Sequence, residues 1–227
     1  MTEIVLMSDP RVAAVPVQEC GDRLVDLRRD GRLLVDERKR QDSAGAFAHL
    51  REGVLDRLLD AQAQLPGGMR LLFVEGYRPP SLQRHYFDEY ADLLRAEHPE
   101  WDADRVRTAA SRYVSPPEIA PHSAGAAVDL TLAGHDGSEL DMGTRMNASP
   151  EESAGACYTR AGNISDEARS HRNILGSALT AAGLVNYPTE WWHWSYGDRY
   201  WALETGAPVA LYGPKEFDQQ QAPPHPE

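Results

Sequence analysis

Residues 121–132, PHSAGAAVDLTL, form an apolar, strand-like run that carries a carboxylate near its centre. Side chains alternate between the two faces of a strand, so Val128, Leu130 and Leu132 share one face and Asp129 lies on the other. A buried carboxylate must be hydrogen-bonded, paired with a cation or bound to a metal to offset its lost hydration. The run therefore predicts a buried strand that borders a polar site.

A histidine and a glycine come just before this strand. Gly125 allows the chain to bend back, so that the imidazole of His122 can approach Asp129. The two side chains are seven positions apart in the sequence. We therefore expect them to meet at one site.

The segment EWWH provides a second histidine with a nearby carboxylate, because Glu190 and His193 are three positions apart. On an ideal strand these two side chains would face opposite sides. We therefore predict a bulge, a strong twist or a loop-like geometry at Trp191–Trp192. With that bend, His193 completes a His-Asp-His set.

Two imidazoles and one carboxylate suit Zn²⁺ with its fourth position open to water, which predicts one zinc ion held by His122, Asp129 and His193. Bound zinc makes water an accessible nucleophile near neutral pH. Glu190 is the predicted base, which accepts a proton during attack and returns it to the leaving amine. Arg78, in EGYRPP at the end of an apolar run, is the predicted donor to the oxyanion.

Each residue also has a structural interpretation. His122 alone could be a satisfied structural histidine, and Asp129 could cap a neighbouring loop. Arg78 could form an ordinary ion pair, and EWWH could belong to an aromatic core. A soluble α+β domain without a metal is therefore a distinct interpretation, but it leaves the combined spacing of three segments without a reason.

The order of predicted elements favours an α+β fold, with a small mixed or antiparallel sheet flanked by helices. Alternating residues around Asp30–Gly31 predict a hairpin. Helical spacing predicts helices over 46–65, 81–98 and 165–183, and apolar runs predict strands over 69–78, 126–132 and 184–196. We expect a single domain over residues 1–218 and a flexible tail over 219–227, because the tail is polar and proline-rich.

Charge and cysteine content restrict the partners and the compartment. A net charge of −12 argues against a general partner among nucleic acids or anionic membranes, since both require a basic surface. No stretch reaches the length needed to span a membrane, and the N-terminus does not read as a signal peptide. Cys20 and Cys157 are too few for a disulfide scaffold, so we expect a cytoplasmic protein.

Four motifs follow one another in the chain: EGYRP at 75–79, HSAGAAVDLTL at 122–132, which fits HxxGxAxD, MGTR at 142–145 and EWWH at 190–193. In these motifs the chain resembles the M15 zinc peptidases, and specifically the D-alanyl-D-alanine dipeptidases of the vancomycin-resistance type. The resemblance covers roughly residues 70–200. It implies the small α+β zinc-peptidase fold that Hedgehog-type domains share.

The resemblance also implies roles for individual residues. Zinc would be bound by His122, Asp129 and His193, Glu190 would be the catalytic base, and Arg78 would stabilise the transition state. The implied substrate is a small peptide that contains D-amino acids.

The departures from the family pattern concern the substrate. Ala120 stands where these dipeptidases usually carry serine. These dipeptidases also carry an aspartate after the MGxR segment, which pairs with the free ammonium of the dipeptide. If this chain has a one-residue deletion relative to the family pattern, Asn147 occupies the position of that aspartate. A neutral amide cannot supply that ion pair, and a charge-assisted hydrogen bond is about twice as strong as a neutral one. The segment DERKRQDSAG, 36–45, stands near the place of an aromatic YATxxNF-like segment of those enzymes.

The sequence therefore predicts a metallopeptidase that keeps the reaction of the family, with Asn147 in its substrate-binding site. A substrate with an acylated or otherwise neutral amine, or a longer peptide, would tolerate Asn147 better than free D-alanyl-D-alanine. A D,D-carboxypeptidase and a hydrolase of peptide natural products are the alternatives with the same chemistry. A non-catalytic, zinc-stabilised binding module is an alternative of another class, although Glu190 and Arg78 are both present.

Overall fold

The computed structural model describes residues 4–36, 38 and 45–217. Its strands are β1 (Leu24–Asp26), β2 (Leu34–Val35), β3 (His49–Arg51), β4 (Arg70–Glu75), β5 (Ala127–Ala133), β6 (Val185–Asn186) and β7 (His193–Ser195). Its helices are α1 (Pro10–Ala14), α2 (Leu27–Asp30), α3 (Glu52–Ala63), α4 (Pro80–Glu97), α5 (Ala103–Ala110), α6 (Asp166–Ala181) and α7 (Arg199–Thr205), and two 3₁₀ turns cover Ala46–Ala48 and Pro121–Ala124. The predicted tail, 219–227, lies outside the described residues.

A mixed sheet in the described part of the chain has the strand order β2-β4-β5-β7-β6. Strands β2 and β4 run parallel, and the other neighbours in this sheet run antiparallel. Strands β1 and β3 form a separate antiparallel pair. Helices and strands are both abundant, so the predicted α+β class with a small mixed sheet is confirmed.

Strand β5 lies at the centre of the sheet, and all seven of its residues are buried. Val128, Leu130 and Leu132 belong to the main apolar core, as the alternation of side chains predicts. Leu58 of α3 and Leu175 of α6 belong to the same core. The opposite face of β5, with Asp129, is therefore available for a site.

Strand β4 carries a bulge between Phe73 and Glu75. Phe73 pairs with Leu130, whereas Glu75 pairs with Asp129, so one more residue is used on β4 than on β5. Phe73 and Val74 both belong to the apolar core. The extra residue thus changes the face on which Glu75 lies, and brings it beside Asp129.

The hairpin predicted around Asp30–Gly31 is wrong. The carboxylate of Asp26 accepts a hydrogen bond from the backbone N–H of Arg28, which caps α2 at the place where a turn was expected. Gly31, with φ of 72°, ends this short helix. Strands β1 and β2 therefore diverge, and β1 pairs with β3 while β2 pairs with β4.

Two further elements differ from the sequence prediction. The helix expected over 46–65 begins only at Glu52, because Ala46–Ala48 form a 3₁₀ turn and His49–Arg51 form β3. The aromatic strand expected over 184–196 consists of two short antiparallel strands, β6 and β7. Trp191 and Trp192 lie in the turn that precedes β7, so the predicted loop-like geometry at these residues is confirmed.

Helices α4 and α5 pack against each other through a second apolar cluster. Phe87, Ala91 and Leu94 of α4 belong to it together with Val106 of α5. Asp102 caps α5, because its carboxylate accepts a hydrogen bond from the N–H of Arg105. Among the described helices, none combines the length and the apolar character that crossing a membrane requires.

Candidate metal centre

Three side chains from separate segments converge at one point. His122 comes from the 3₁₀ turn Pro121–Ala124, Asp129 from β5 and His193 from β7. His122 Nε2 lies 3.2 Å from His193 Nδ1. Asp129 Oδ1 lies 3.1 Å from His193 Nδ1 and 3.4 Å from His122 Nε2. The sequence-predicted set is therefore brought together by the fold.

The spacing of these three atoms fits a tetrahedral zinc ion. Two ligand atoms that each lie ~2.1 Å from such an ion are roughly 3.4 Å apart, close to the three measured distances. All three side chains are buried. Two imidazoles and one carboxylate are also the donor types that zinc prefers.

Backbone contacts orient the imidazole of His122. Its Nδ1 lies 2.6 Å from the carbonyl oxygen of Gly76, so Nδ1–H donates there and Nε2 is left to face a metal. Gly125, with φ of 68°, ends the 3₁₀ turn, and a Cβ on it would lie 2.4 Å from Leu24 Cδ2. This glycine turns the chain from His122 into β5, as the sequence predicts.

Strand pairing places Asp129 between two partners. Asp129 pairs with His193 on β7 and with Glu75 on β4. Burial alone would raise the pKa of Asp129, but His122 and His193 outweigh it and hold this pKa well below its usual range. Burial lowers the pKa of His193, which favours the neutral imidazole that a metal requires.

The turn from Glu190 to His193 brings both side chains to the same side. Glu190 Oε2 lies 3.8 Å from His193 Nδ1. The side chain of Asn186 supports this turn, because its Nδ2 donates to the carbonyl oxygens of Glu190 and of His193, each at 3.0 Å. Thr159 donates its hydroxyl to Asn186 Oδ1 at 2.6 Å and fixes the amide.

Glu190 is buried beside the candidate ligands. Burial and then the charge of Asp129 raise the pKa of Glu190 well above its usual value, although Arg78 opposes this shift. Burial, and then the charge of Glu190, raise the pKa of Tyr113 to about 12. Glu190 is therefore a carboxyl group that holds a proton readily.

Arg78 occupies the wall beside this carboxyl group. Its Nε donates to Glu75 Oε1 at 2.7 Å, and its Nη1 donates to Gln83 Oε1 at 2.8 Å. Burial disfavours the charged guanidinium, but Glu75 outweighs burial and raises the pKa of Arg78. Arg78 is thus held as a cation in a fixed orientation.

A cavity of about 290 Å³ connects these residues with helix α4 and with residues 113–115, which follow α5. Pockets that hold small molecules begin at ~300 Å³, so this volume suits a small ligand. Asn147 lines the cavity, and its φ of 60° is in the left-handed region that asparagine tolerates. The backbone carbonyl oxygen of Asn147 accepts a hydrogen bond from the Tyr113 hydroxyl at 2.9 Å.

A buried arginine supports the back of the site. The guanidinium of Arg172 donates to the carbonyl oxygens of Met142, Ala156 and Tyr158 at 2.8–2.9 Å. It also lies 5.5 Å from the ring centre of Trp191. Arg172 thereby joins the irregular region that carries Asn147 to the turn that carries Glu190.

Sequence reasoning did not identify Glu75, Gln83, Asn186 or Arg172. The carboxylate at the end of an apolar run in EGYRP is a signal for Glu75, but simple alternation places it in the core. Asn186 and Arg172 act on backbone carbonyl groups, for which the sequence carries no pattern. Of the segment 36–45, the structure describes only residues 36, 38 and 45. The departure from the YATxxNF-like segment of the family therefore stays a prediction.

Known proteins share this sequence pattern. The profile of the Peptidase M15 family, described as D-Ala-D-Ala dipeptidase, matches residues 40–207. A D-alanyl-D-alanine dipeptidase of Synechocystis sp. is 28% identical over 221 residues, which cover 84% of this chain and 88% of that protein. A D-alanyl-D-alanine dipeptidase of Enterococcus faecium is 33% identical over 135 residues, which cover 58% of this chain and 64% of that protein.

Among solved structures, a vancomycin resistance D,D-pentapeptidase, VanY, determined in complex with Zn(II), aligns with 88% of this chain and 96% of its own. The sequence identity is 17% and the TM-score is 0.40.

Proposed function

The chain belongs to the Peptidase M15 family of D-Ala-D-Ala dipeptidases, and from this premise we propose that it is a zinc peptidase that hydrolyses small peptides containing D-alanine. The four motifs at 75–79, 122–132, 142–145 and 190–193 all lie inside the matched residues 40–207. The resemblance seen in the sequence is thereby confirmed.

The triangle formed by His122, Asp129 and His193 carries this proposal. Its three ligand atoms are 3.1–3.4 Å apart and buried. Glu190 lies at its edge, 3.8 Å from His193 Nδ1. A metal-binding set with an adjacent carboxyl group and an adjacent arginine is the arrangement that metal-assisted hydrolysis requires.

We assign each of these residues a role in peptide hydrolysis. When bound by His122, Asp129 and His193, zinc lowers the pKa of water and polarises the peptide carbonyl group. Glu190 accepts a proton from the attacking water and returns it to the leaving amine, and its raised pKa suits this transfer. Arg78 donates to the oxygen atom of the scissile carbonyl group as negative charge develops there.

Asn147 is the proposed contact for the nitrogen end of the substrate. It is neutral and lines the cavity close to Tyr113. The oxygen of a carboxamide can accept a hydrogen bond from an amide N–H, whereas a neutral carboxamide forms no ion pair with an ammonium group. We therefore expect a preference for a dipeptide unit whose nitrogen is acylated, or which is part of a longer peptide.

Two further features complete the proposal. The metal is zinc, one ion per chain, on the basis of the donor types and their spacing. The location is cytoplasmic, on the basis that Cys20 and Cys157 are both free thiols. Metal analysis of the untagged protein and fractionation of cells that produce it test these two features.

The deciding experiment compares D-alanyl-D-alanine with its N-acetylated form as substrates of the zinc-loaded protein. We expect hydrolysis of both and a higher kcat/KM for the acetylated form. A strong preference for the free dipeptide would contradict the role of Asn147 and leave the reaction intact.

The control for this experiment is Glu190→Ala, which should retain zinc and lose about 10²- to 10⁴-fold in kcat. Equal activity before and after the substitution would remove Glu190 as the base. If the unsubstituted protein binds zinc and hydrolyses neither peptide, the non-catalytic binding module is the better description.

A further inference from the structure

Half of the cavity is built from residues that the proposed reaction does not use. Tyr86, Glu89, Tyr90 and Leu93 follow one another on α4 at helical spacing, and all four line the cavity. The adjacent stripe of α4, which includes Phe87 and Leu94, is buried in the second apolar cluster, and Tyr86 and Tyr90 are partly buried against that cluster. Helix α4 therefore presents one face to the protein interior and a second face to the ligand space.

Two tyrosine rings on this side are fixed with their hydroxyl groups occupied. Tyr90 donates its hydroxyl to Glu151 Oε2 at 2.9 Å, and Tyr113 donates to the carbonyl oxygen of Asn147 at 2.9 Å. The two rings pack edge to face with centroids 5.0 Å apart. Because the hydroxyl groups have partners, the rings offer mainly apolar surface to a ligand.

An exposed leucine extends this apolar surface to the mouth of the cavity. The side chain of Leu93 is 55% exposed and, with Ile4, is one of two large apolar side chains exposed among the described residues. Its neighbour Glu89 is also exposed, so the carboxylate of Glu89 stays hydrated. We name the surface formed by Tyr86, Tyr90, Leu93, Tyr113 and Val114 the side compartment.

The side compartment is continuous with the position proposed for the substrate nitrogen. The backbone carbonyl oxygen of Asn147 accepts a hydrogen bond from Tyr113, whose ring packs on that of Tyr90. Leu93 follows Tyr90 by about one turn of α4. A substituent on a nitrogen that faces Asn147 would therefore extend over these two rings toward Leu93. The residues of the proposed reaction centre line the same cavity.

We propose that the side compartment is a binding site for an apolar group on the nitrogen side of the substrate, such as an acyl chain or an apolar amino-acid residue. This inference rests on the proposed function and adds the substrate class. Removing one CH₂ group from water favours binding by about four-fold, so each methylene that reaches the compartment should improve recognition by up to that factor.

The experiment uses D-alanyl-D-alanine acylated with acetyl, butyryl and hexanoyl groups and the zinc-loaded protein. We expect kcat/KM to rise about two- to four-fold for each methylene that contacts the rings. In parallel, calorimetric titration of zinc-loaded Glu190→Ala with the same series should give dissociation constants that fall with chain length. The titration reports on the compartment without turnover.

The matched variants are Leu93→Ser and Ala96→Ser, since Ala96 is exposed on the same helix and does not line the cavity. Leu93→Ser should reduce the hexanoyl-to-acetyl ratio of kcat/KM at least three-fold. Ala96→Ser should leave this ratio and the activity unchanged.

Three outcomes would overturn the assignment. The first is a kcat/KM that does not depend on the length of the acyl chain. The second is a hexanoyl-to-acetyl ratio of kcat/KM that Leu93→Ser leaves unchanged. The third is a preference for a cationic substituent that Glu89→Gln removes. Absence of hydrolysis together with tighter binding of longer chains would contradict the proposed function alone.

Discussion

The side-chain amide of Asn186 donates a hydrogen bond to the carbonyl oxygen of Glu190 at 3.0 Å. The same nitrogen donates to the carbonyl oxygen of His193 at 3.0 Å. One side chain therefore holds both ends of the turn that carries the proposed base and a proposed metal ligand. Residues that orient metal ligands in this way typically contribute 10- to 100-fold to metal affinity.

Replacement of Asn186 by aspartate should weaken zinc binding. Asn186→Asp removes both N–H donors and places a carboxylate against two carbonyl oxygens, so the turn should loosen. We expect the zinc dissociation constant to rise about 10- to 100-fold, measured by competition with a chelator. The visible absorption of the cobalt-substituted protein should change as well, because it reports the geometry of the ligands.

The control for this prediction is Thr159→Val, which removes only the hydroxyl bonded to Asn186 Oδ1. Its effect on zinc affinity should be smaller. If Asn186→Asp lowers thermal stability with an unchanged cobalt spectrum and zinc affinity, the residue supports the fold alone.

Replacement of Arg78 by lysine should impair turnover more than binding. The guanidinium bonds Glu75 and Gln83 through two of its nitrogen atoms and still faces the cavity, and a lysine ammonium cannot reproduce this fork. We expect kcat to fall about 10²- to 10³-fold with an unchanged zinc content. Steady-state kinetics of Arg78→Lys, compared with those of Gln83→Ala, test this prediction. Equal losses of kcat in the two variants would argue against a direct role for Arg78.

Substitution of Asn147 by aspartate should shift the preference toward a free amine. A charged acceptor gains about 1–1.5 kcal/mol over a neutral one, so kcat/KM for D-alanyl-D-alanine relative to its N-acetyl form should rise about ten-fold. Aspartate also tolerates the left-handed conformation of this position. An unchanged ratio in competition assays would place the substrate nitrogen elsewhere in the cavity.

Zinc removal should lower the stability of the fold as well as the activity. A ligand that binds only the native state stabilises it by about 2.7 kcal/mol at 100 times its dissociation constant. For a chain of this size we expect the Tm to rise roughly 5–10 °C on addition of zinc, measured by calorimetry. His122→Ala should abolish this shift, and a persistent shift would locate the stabilising ion at another site.

Replacement of Arg172 by methionine should destabilise the protein. Three carbonyl groups would lose their donors at about 1 kcal/mol each, so we expect a loss of about 3 kcal/mol in the free energy of unfolding. Urea denaturation of the zinc-loaded protein measures it. Arg169→Met on the same helix is the control, because Arg169 is only half-buried and should cost less.

The sequence predicted the candidate metal-binding set, which the fold brings together, because local patterns carried the necessary information. A carboxylate in an apolar run requires a partner, and the positions of His122 and Gly125 indicate where that partner comes from. The spacing of Glu190 and His193 likewise required a turn, which the structure contains at Trp191–Trp192. These inferences depend on neighbours in the chain.

The wrong predictions concern features that depend on distant partners. The residues around Asp30–Gly31 satisfy the pattern of a hairpin, but Asp26 caps a short helix there and each flanking strand finds another neighbour. The side compartment was also not foreseen, because the face of α4 that meets the cavity is set by its packing on α5.

The bulge in β4 makes the irregular pairing of that strand a functional property. With regular alternation, Glu75 would share the face of Leu71 and Phe73 and point into the apolar core. The additional residue turns its carboxylate toward Arg78 instead. If the same residues of β4 were paired without the bulge, the guanidinium would lose its anionic partner although no polar residue had changed, so the irregularity of this strand is as much under constraint as its side-chain chemistry.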